Sequence, residues 1–427
     1  MTSDHHITDL NILTDILPVF NYTNNRFSEQ VLAALLTKTL PSTALITERQ
    51  QILQGFVKHY RFLQSYNYAK AEFAEVHQFL QEVEHPVPNN LIALFANKSE
   101  QQVLLSRYAQ FVLFFDRILQ KWIAAINSAL FPNPYRADLE AMEQLLTFFD
   151  LRYYSELLKE DRFGRKEVRQ LSQKIAARKQ DGSWSLFWSR FFLFEAFTSI
   201  SIAIVRRGFT FPVTGATAIT IRDLYHPLLK DPVKNDIHIN RQVCLLTGPN
   251  MAGKSTLLKS IGLCVFLAHT GLAIPAGFAE IPFFDHISVF INHRDDLRNG
   301  YSHFMYEIKN LKEMLLKASA GKRCFSIFDE LFKGTNNEDA LAITAATVEG
   351  LNQFDASCFL ISTHLHALKE TAAVAGDVTH VYHIDCIVEN GRPRFTYKLG
   401  NGWSDLRIGR LLFEAEGLYE LLNKPQK

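Results

Sequence analysis

Along the first half of the chain, apolar residues recur at helical spacing. Phe27, Val31, Leu32, Leu35 and Leu36 share one face, and further on Leu104, Tyr108, Phe111, Val112, Phe115, Leu119 and Trp122 share another. Stripes of that period mark helices that bury one side. Strand signals are few from about residue 27 to 205. The pattern breaks at "HPVPNN" (85–90) and "FPNPYRAD" (131–138), where proline withholds an N–H and Asp138 can cap the next helix. One run, "LFWSRFFLFEAFTSISIAIV" (186–205), has the length and apolarity of a membrane span, but Arg190 and Glu195 interrupt it. It reads as the core helix of an all-helical domain.

The texture changes at "RRGFTFPVTGATAITIRD" (206–223), where short β-branched alternation begins. Beyond it, apolar strand-like and helix-like runs alternate at 243–247, 254–270, 286–291, 303–318, 324–328, 338–351 and 357–361. Such alternation predicts a sheet covered by helices. The expected organisation is therefore a multidomain α plus α/β chain, helical over 1–207 and α/β over 208–427. A length of 427 residues suits two cores rather than one.

Between the strand VCLLT and the run that follows lies Gly248-Pro249-Asn250-Met251-Ala252-Gly253-Lys254-Ser255, then Thr256. This is the spacing of a phosphate-holding loop: glycines let backbone N–H groups curl around phosphates, and the helix N-terminus adds its positive end. Lys254 would reach the β and γ phosphates, and the Ser255 hydroxyl would hold Mg²⁺; the plain alternative is a glycine-rich turn with a solvated lysine. Seventy-five residues beyond Lys254, "RCFSIFDELFKGTNN" ends a buried strand in Asp329-Glu330. One carboxylate there can hold the metal through water and its neighbour can orient an attacking water. A third strand, "CFLIST", ends at His364, which either senses the γ-phosphate or is satisfied within its turn.

Composition narrows the partners. Lys plus Arg is 45 against 44 Asp plus Glu, so any basic surface is local. Residues 159–179 carry eight Lys/Arg and three Asp/Glu, which suits either a solvated helix face or a grip on duplex phosphates. The five cysteines stand singly, with no CxxC pair and no histidine cluster at zinc spacing, so neither a disulfide framework nor structural zinc is expected. "MTSDHHITDLNILTDILPVF" has no basic start followed by an uninterrupted apolar run, and a cytoplasmic protein with no membrane partner is expected.

"TGPNMAGKSTLLKSIG", "GYSHFMYEI", "FDELFKGTNNEDA" and "STHLHAL", in that order and spacing, resemble the MutS family of DNA mismatch-repair ATPases, a branch of the ABC-type ATPases. "YHPLL", "VKNDI" and "KLGNGWSDLRIGRL" extend the resemblance over about residues 209–420. "VLAALLTKTLPSTALITERQQILQGF" (31–56) more loosely resembles the start of the family's helical core and lever.

The resemblance implies an ABC-type P-loop ATPase domain that binds ATP and Mg²⁺ and dimerises around nucleotide. Gly248, Pro249, Asn250, Met251, Ala252, Gly253, Lys254, Ser255 and Thr256 would cradle phosphate. Ser255 and Asp329 would serve the metal, while Glu330, Lys254 and His364 act in hydrolysis. Ser302 matches the position that reaches the partner's γ-phosphate, or else it caps its helix ahead of Glu307. The family's mismatch readers carry a Phe-x-Glu wedge in an N-terminal domain, a connector and a clamp, whereas a short form that starts at lever-like helices is expected here. Its Phe73-Ala74-Glu75 sits in a predicted helix, with Phe73 expected in the core and Glu75 in solvent. Two outputs follow: a homodimer coupling ATP to duplex, mismatched or branched DNA in repair or recombination, or a nucleotide-driven switch that binds another protein. Asn336 and Asn337 replace the usual Ser-Thr after Gly334-Thr335, and Asn can still cap the helix that follows.

Overall fold

Continuous apolar runs in the second half become buried parallel strands, and the amphipathic runs of the first half become helices. The computed structural model describes residues 5–83, 85–87, 98–249, 251–291, 303–374, 378–389, 392–404, 412–414 and 416–422. The chain divides into two compact units, one comprising Leu17–Thr37 and Glu48–Arg207, the other Met1–Ile16, Lys38–Thr47 and Gly208–Lys427.

The first unit is helical. Its main helices are Arg26–Thr37, Lys70–Glu82, Lys98–Ile118, Tyr135–Thr147, Leu151–Lys159, Arg165–Gln180 and Ser183–Arg207. Ser183–Arg207 packs on Arg26–Thr37, Tyr135–Thr147 and Arg165–Gln180. It is long and apolar enough to cross a membrane, yet 72% of its most apolar window is buried within the protein. Phe111, Phe115, Phe149, Trp184, Phe187 and Phe191 form an aromatic core around it. Phe73 is buried and Glu75 exposed, so that Phe-x-Glu is ordinary helix packing.

The two charges interrupting this helix are satisfied. Arg190 donates to Asp138 at 2.7 Å, which gives Asp138 a role other than the expected cap: it lies in the first turn of Tyr135–Thr147, and the N-cap is Pro134. Glu195, fully buried, accepts from Tyr68 Oη at 2.5 Å, Asn25 Nδ2 at 3.1 Å, Tyr66 Oη at 3.3 Å and the Asn24 N–H. Burial nonetheless holds its pKa above the usual carboxylate value. The basic run is largely a solvated helix face: Arg162 pairs with Glu160, Lys174 with Asp150 and Arg178 with Asp181, while Val168, Leu171 and Ile175 face inward.

In the second unit, β1 (Val213–Thr214), β2 (Ile219–Leu224), β3 (Asn235–Ile239) and β5 (Phe278–Ile281) form a four-stranded sheet in the order β1-β5-β2-β3. The larger sheet holds β4 (Val243–Thr247), β6 (His286–Phe290), β7 (Cys324–Asp329), β8 (Cys358–Ser362), β9 (Thr379–Glu389) and β10 (Arg392–Asn401), in the order β10-β9-β4-β8-β7-β6. All pairs are parallel except the β9–β10 hairpin. Every residue of β4, β7 and β8 is buried, as expected for parallel strands covered on both faces. Helices Lys254–His269, His303–Ser319 and Asn337–Leu351 begin within a residue of the expected positions. The Asn336 side chain accepts from the Asp339 N–H at 2.9 Å, so Asn does cap the last of these.

The order of the larger sheet positions the site. β8 lies between β4 and β7, with Ser362 in register with both Leu246 and Asp329. The carboxyl ends of the three strands are therefore level, where parallel sheets place ligands.

Glu195 gathers donors that burial leaves with no water to turn to. Glu195→Ala is expected to cost about 3–4 kcal/mol, read as a lower urea midpoint at unchanged slope, because buried donors left unpaired carry their full desolvation penalty. A midpoint equal to that of the unaltered chain would contradict this.

Candidate functional site

The loop between β4 and helix Lys254–His269 is shaped by two glycines that other residues would strain. Gly248 has φ +131° and Gly253 φ +95°. A Cβ at Gly248 would lie 3.3 Å from the Ile384 backbone N, and one at Gly253 3.2 Å from the Tyr397 ring. Positive φ and close approach both require glycine. Met251 also adopts φ +72° and is 78% exposed. Ala252 is buried, and its N–H donates to Pro249 O at 3.3 Å. Asn250 and Ser302 lie outside the described residues.

Lys254, at the first helical position, is buried and donates to Gly248 O at 2.8 Å and Pro249 O at 3.1 Å. Its Nζ lies 3.8 Å from Glu330 Oε1. Burial lowers the Lys254 pKa, and the carboxylates of Glu330 and Asp329 oppose that shift. Ser255 Oγ donates to Asp329 Oδ2 at 2.5 Å. Asp329 Oδ1 accepts from Ser362 Oγ, so this carboxylate ties the loop helix to the neighbouring strand end.

Glu330 begins a strained turn, with φ +56° at Glu330 and +63° at Phe332. Its N–H donates to Ser362 Oγ at 2.9 Å and Ser362 O at 3.2 Å. Its Oε2 accepts from Lys333 at 2.6 Å. Burial alone would raise the Glu330 pKa, but the Lys333 hydrogen bond and the charges of Lys333, Lys254 and His364 together bring it below the ordinary value. Glu330 is thus held as an anion. His364 follows β8 on the same edge, exposed, and acts on Glu330 through charge. The structure therefore brings together Lys254, Ser255, Asp329, Glu330 and His364.

Ser362 and Lys333 carry no sequence signal of their own, and Glu307 enters the sequence reading only as the residue ahead of which Ser302 would cap its helix. Ser362 opens the "STH" run, and Lys333 and Glu307 stand beside residues already noted, but only the fold shows what they touch. A cavity of about 350 Å³ adjoins the loop, lined by Tyr225, His226, Leu229, Thr256, Ile384 and Tyr397. Tyr397 stands at φ +57° where the β9–β10 register shifts between Phe395 and Leu399. Its carbonyl accepts from Asn235 Nδ2 at 3.0 Å, fixing the bulge beside Gly253. "YHPLL" carried the signal for Tyr225 and His226; nothing in β-hairpin alternation announces a bulge.

Together these features define an α/β domain with a glycine-bounded loop between a central strand and a helix, facing two acidic residues across an intervening strand. Residues 244–418 match the family model described as MutS domain V. Curated relatives named "DNA mismatch repair protein MutS" align over about half of this chain. That of Shouchella clausii is 33% identical over 222 residues, 50% of this chain and 25% of the relative. That of Halalkalibacterium halodurans is 32% identical over 209 residues, 47% and 24%. That of Lactococcus lactis subsp. cremoris is 30% identical over 238 residues, 53% and 28%. Residues 244–418 are thus similar to MutS domain V, and the aligned stretch spans about a quarter of the length of these relatives.

Beside this site, burial pushes the Glu307 carboxyl up to about 7, against the Phe332 N–H and the Lys333 charge. A raised folded pKa gives stability that is full below the unfolded value, near 4.5, and is lost as pH rises through the folded one. The thermal midpoint should therefore fall between about pH 5 and pH 8, and Glu307→Gln should remove part of that fall. An identical pH slope in the variant would contradict this assignment.

Proposed function

We propose that the α/β half binds ATP with Mg²⁺ and hydrolyses it, as the P-loop domain of an ABC-type ATPase. The supporting observation is the convergence of Lys254, Ser255, Asp329 and Glu330 at the level ends of β4, β8 and β7. The residues present suit the group: two positive-φ glycines shape the loop, a buried lysine lies on it, and a hydroxyl faces a carboxylate. ATP supplies the phosphoanhydride, and Mg²⁺ neutralises charge on its oxygens. Lys254 exchanges its loop carbonyls for phosphate oxygens. Ser255 and Asp329, already hydrogen-bonded to each other, would hold the Mg²⁺. Glu330, kept ionised, orients and polarises the attacking water. His364 adds a donor on the same edge. The cavity beside Gly253 and Thr256 offers aromatic walls, Tyr225 and Tyr397, against which a nucleoside base can stack.

In this reading, residues 208–427 form the ATPase domain and the helical residues to 207 its lever, in a cytoplasmic homodimer with Ser302 reaching the partner's nucleotide. Nucleotide state then governs engagement of duplex, mismatched or branched DNA in repair or recombination, as the names of the relatives suggest. A second output, a nucleotide-driven switch that binds another protein, is favoured by one observation: Arg162, Lys174 and Arg178 of the basic run are already paired with acidic residues of the helical unit.

Glu330→Gln is expected to lower turnover by about 100-fold or more with nucleotide binding retained, since the interaction it removes acts on the attacking water. Turnover equal to that of the unaltered chain would refute the site. A salt series with duplex, mismatched and branched DNA separates the outputs, because phosphate-gripping surfaces lose affinity steeply with salt. No binding at low salt favours the protein-interaction switch.

A further inference from the structure

Two residues of the acidic turn adopt left-handed backbone conformations, Glu330 at φ +56° and Phe332 at φ +63°. Non-glycine residues persist there only when the surroundings over-determine them. On one side the turn is fixed by Ser362, which accepts the Glu330 N–H. On the other side, the Phe332 N–H donates to Glu307 Oε2 at 2.9 Å. Glu307 lies on helix His303–Ser319, buried against the turn. Phe304 of the same helix packs its ring 6.1 Å from that of Phe332. A Cβ added at Gly334 would lie 3.1 Å from Phe304 Cβ, so the helix presses on the turn along its length.

We infer that Glu307 is a positioning residue: by accepting the Phe332 N–H it holds the strained turn that aims the Glu330 carboxylate toward Lys254. The inference rests on the hydrolytic reading of Glu330. Glu307 lies on another element and enters no reaction step; its contribution is the second fixed point of the turn. With only Ser362 left, Phe332 can relax toward an ordinary φ, and Glu330 turns with it. Glu330 then keeps its charge and loses its direction, which affects the chemical step more than nucleotide binding.

The test compares Glu307→Ala, Glu307→Met and Glu307→Gln in the full chain. Methionine keeps length and burial without a comparable acceptor, and serves if the alanine variant does not fold; glutamine keeps an oxygen for the Phe332 N–H. Hydrogen exchange without nucleotide should show the 328–334 segment exchanging about 10-fold faster in the Ala or Met variant and near the original rate in Gln. In steady state, kcat for ATP should fall about 10- to 100-fold with KM changed less than about threefold, and Gln should restore it. Unchanged exchange, or a loss carried by KM alone, would overturn the inference. Glu330→Gln in the same assay separates the failures. If it abolishes turnover while Glu307→Met matches the unaltered chain, the positioning role is wrong and the site stands; if it leaves turnover intact, the hydrolytic reading fails and this inference falls with it.

Discussion

The site depends on one carboxylate held between two hydroxyls. Asp329 ends β7, accepts from Ser255 on the loop helix with one oxygen, and accepts from Ser362 at the end of β8 with the other. Hydrogen bonds to a buried charged group are worth about 1.5–3 kcal/mol each, and leaving such a charge without partners costs more. The two bonds thus join three chain segments that are distant in sequence. Register makes this possible, because Ser362 stands opposite both Leu246 and Asp329. A shift by one residue would turn the Asp329 side chain to the other face of the sheet.

Around that bridge the remaining charges are arranged by burial. Lys254 is drawn onto loop carbonyls and toward Glu330, and Glu330 is shared between Lys254 and the more exposed Lys333. Burial opposes ionisation of both Lys254 and Glu330 and their mutual attraction favours it, with opposite balances: the Lys254 pKa is lowered by burial, and the Glu330 pKa is lowered by its cations. A phosphate brought to the loop competes for Lys254 and so acts directly on the environment of Glu330. Under the proposed hydrolysis, nucleotide binding and the orientation of Glu330 would thereby be linked through one lysine.

Much of this was legible in the sequence because parallel strands buried on both faces are written as continuous apolar runs. VCLLT, CFSIFD and CFLIS announce β4, β7 and β8, and chemistry-bearing residues follow each run. The helical half was legible for a related reason: Phe111, Val112 and Phe115 follow the helix period, and all are buried. Features set by tertiary contact were not. Asp138 has the composition of a cap but pairs with Arg190 from a distant helix. The backbone of His6 pairs with β6, so residues near the N-terminus group with the α/β unit although no periodicity marks them. Ser362, Glu307 and Tyr397 gain their places from strand order, a helix seated against a turn, and a bulge, none of which leaves a local signature. The basic run shows the reverse case, a strong compositional signal that the fold resolves in part into ion pairs at Arg162, Lys174 and Arg178.

The most direct test is calorimetric titration of the full chain with ATP and Mg²⁺, alongside Lys254→Ala. Saturable binding by the unaltered chain, weakened about 100-fold or more by removal of the lysine while the far-ultraviolet spectrum and melting curve persist, is the expected result, since a buried phosphate contact of this kind is worth several kcal/mol. Equal affinity in both proteins, or no binding by either, would show that the loop and acidic turn do not form a nucleotide site.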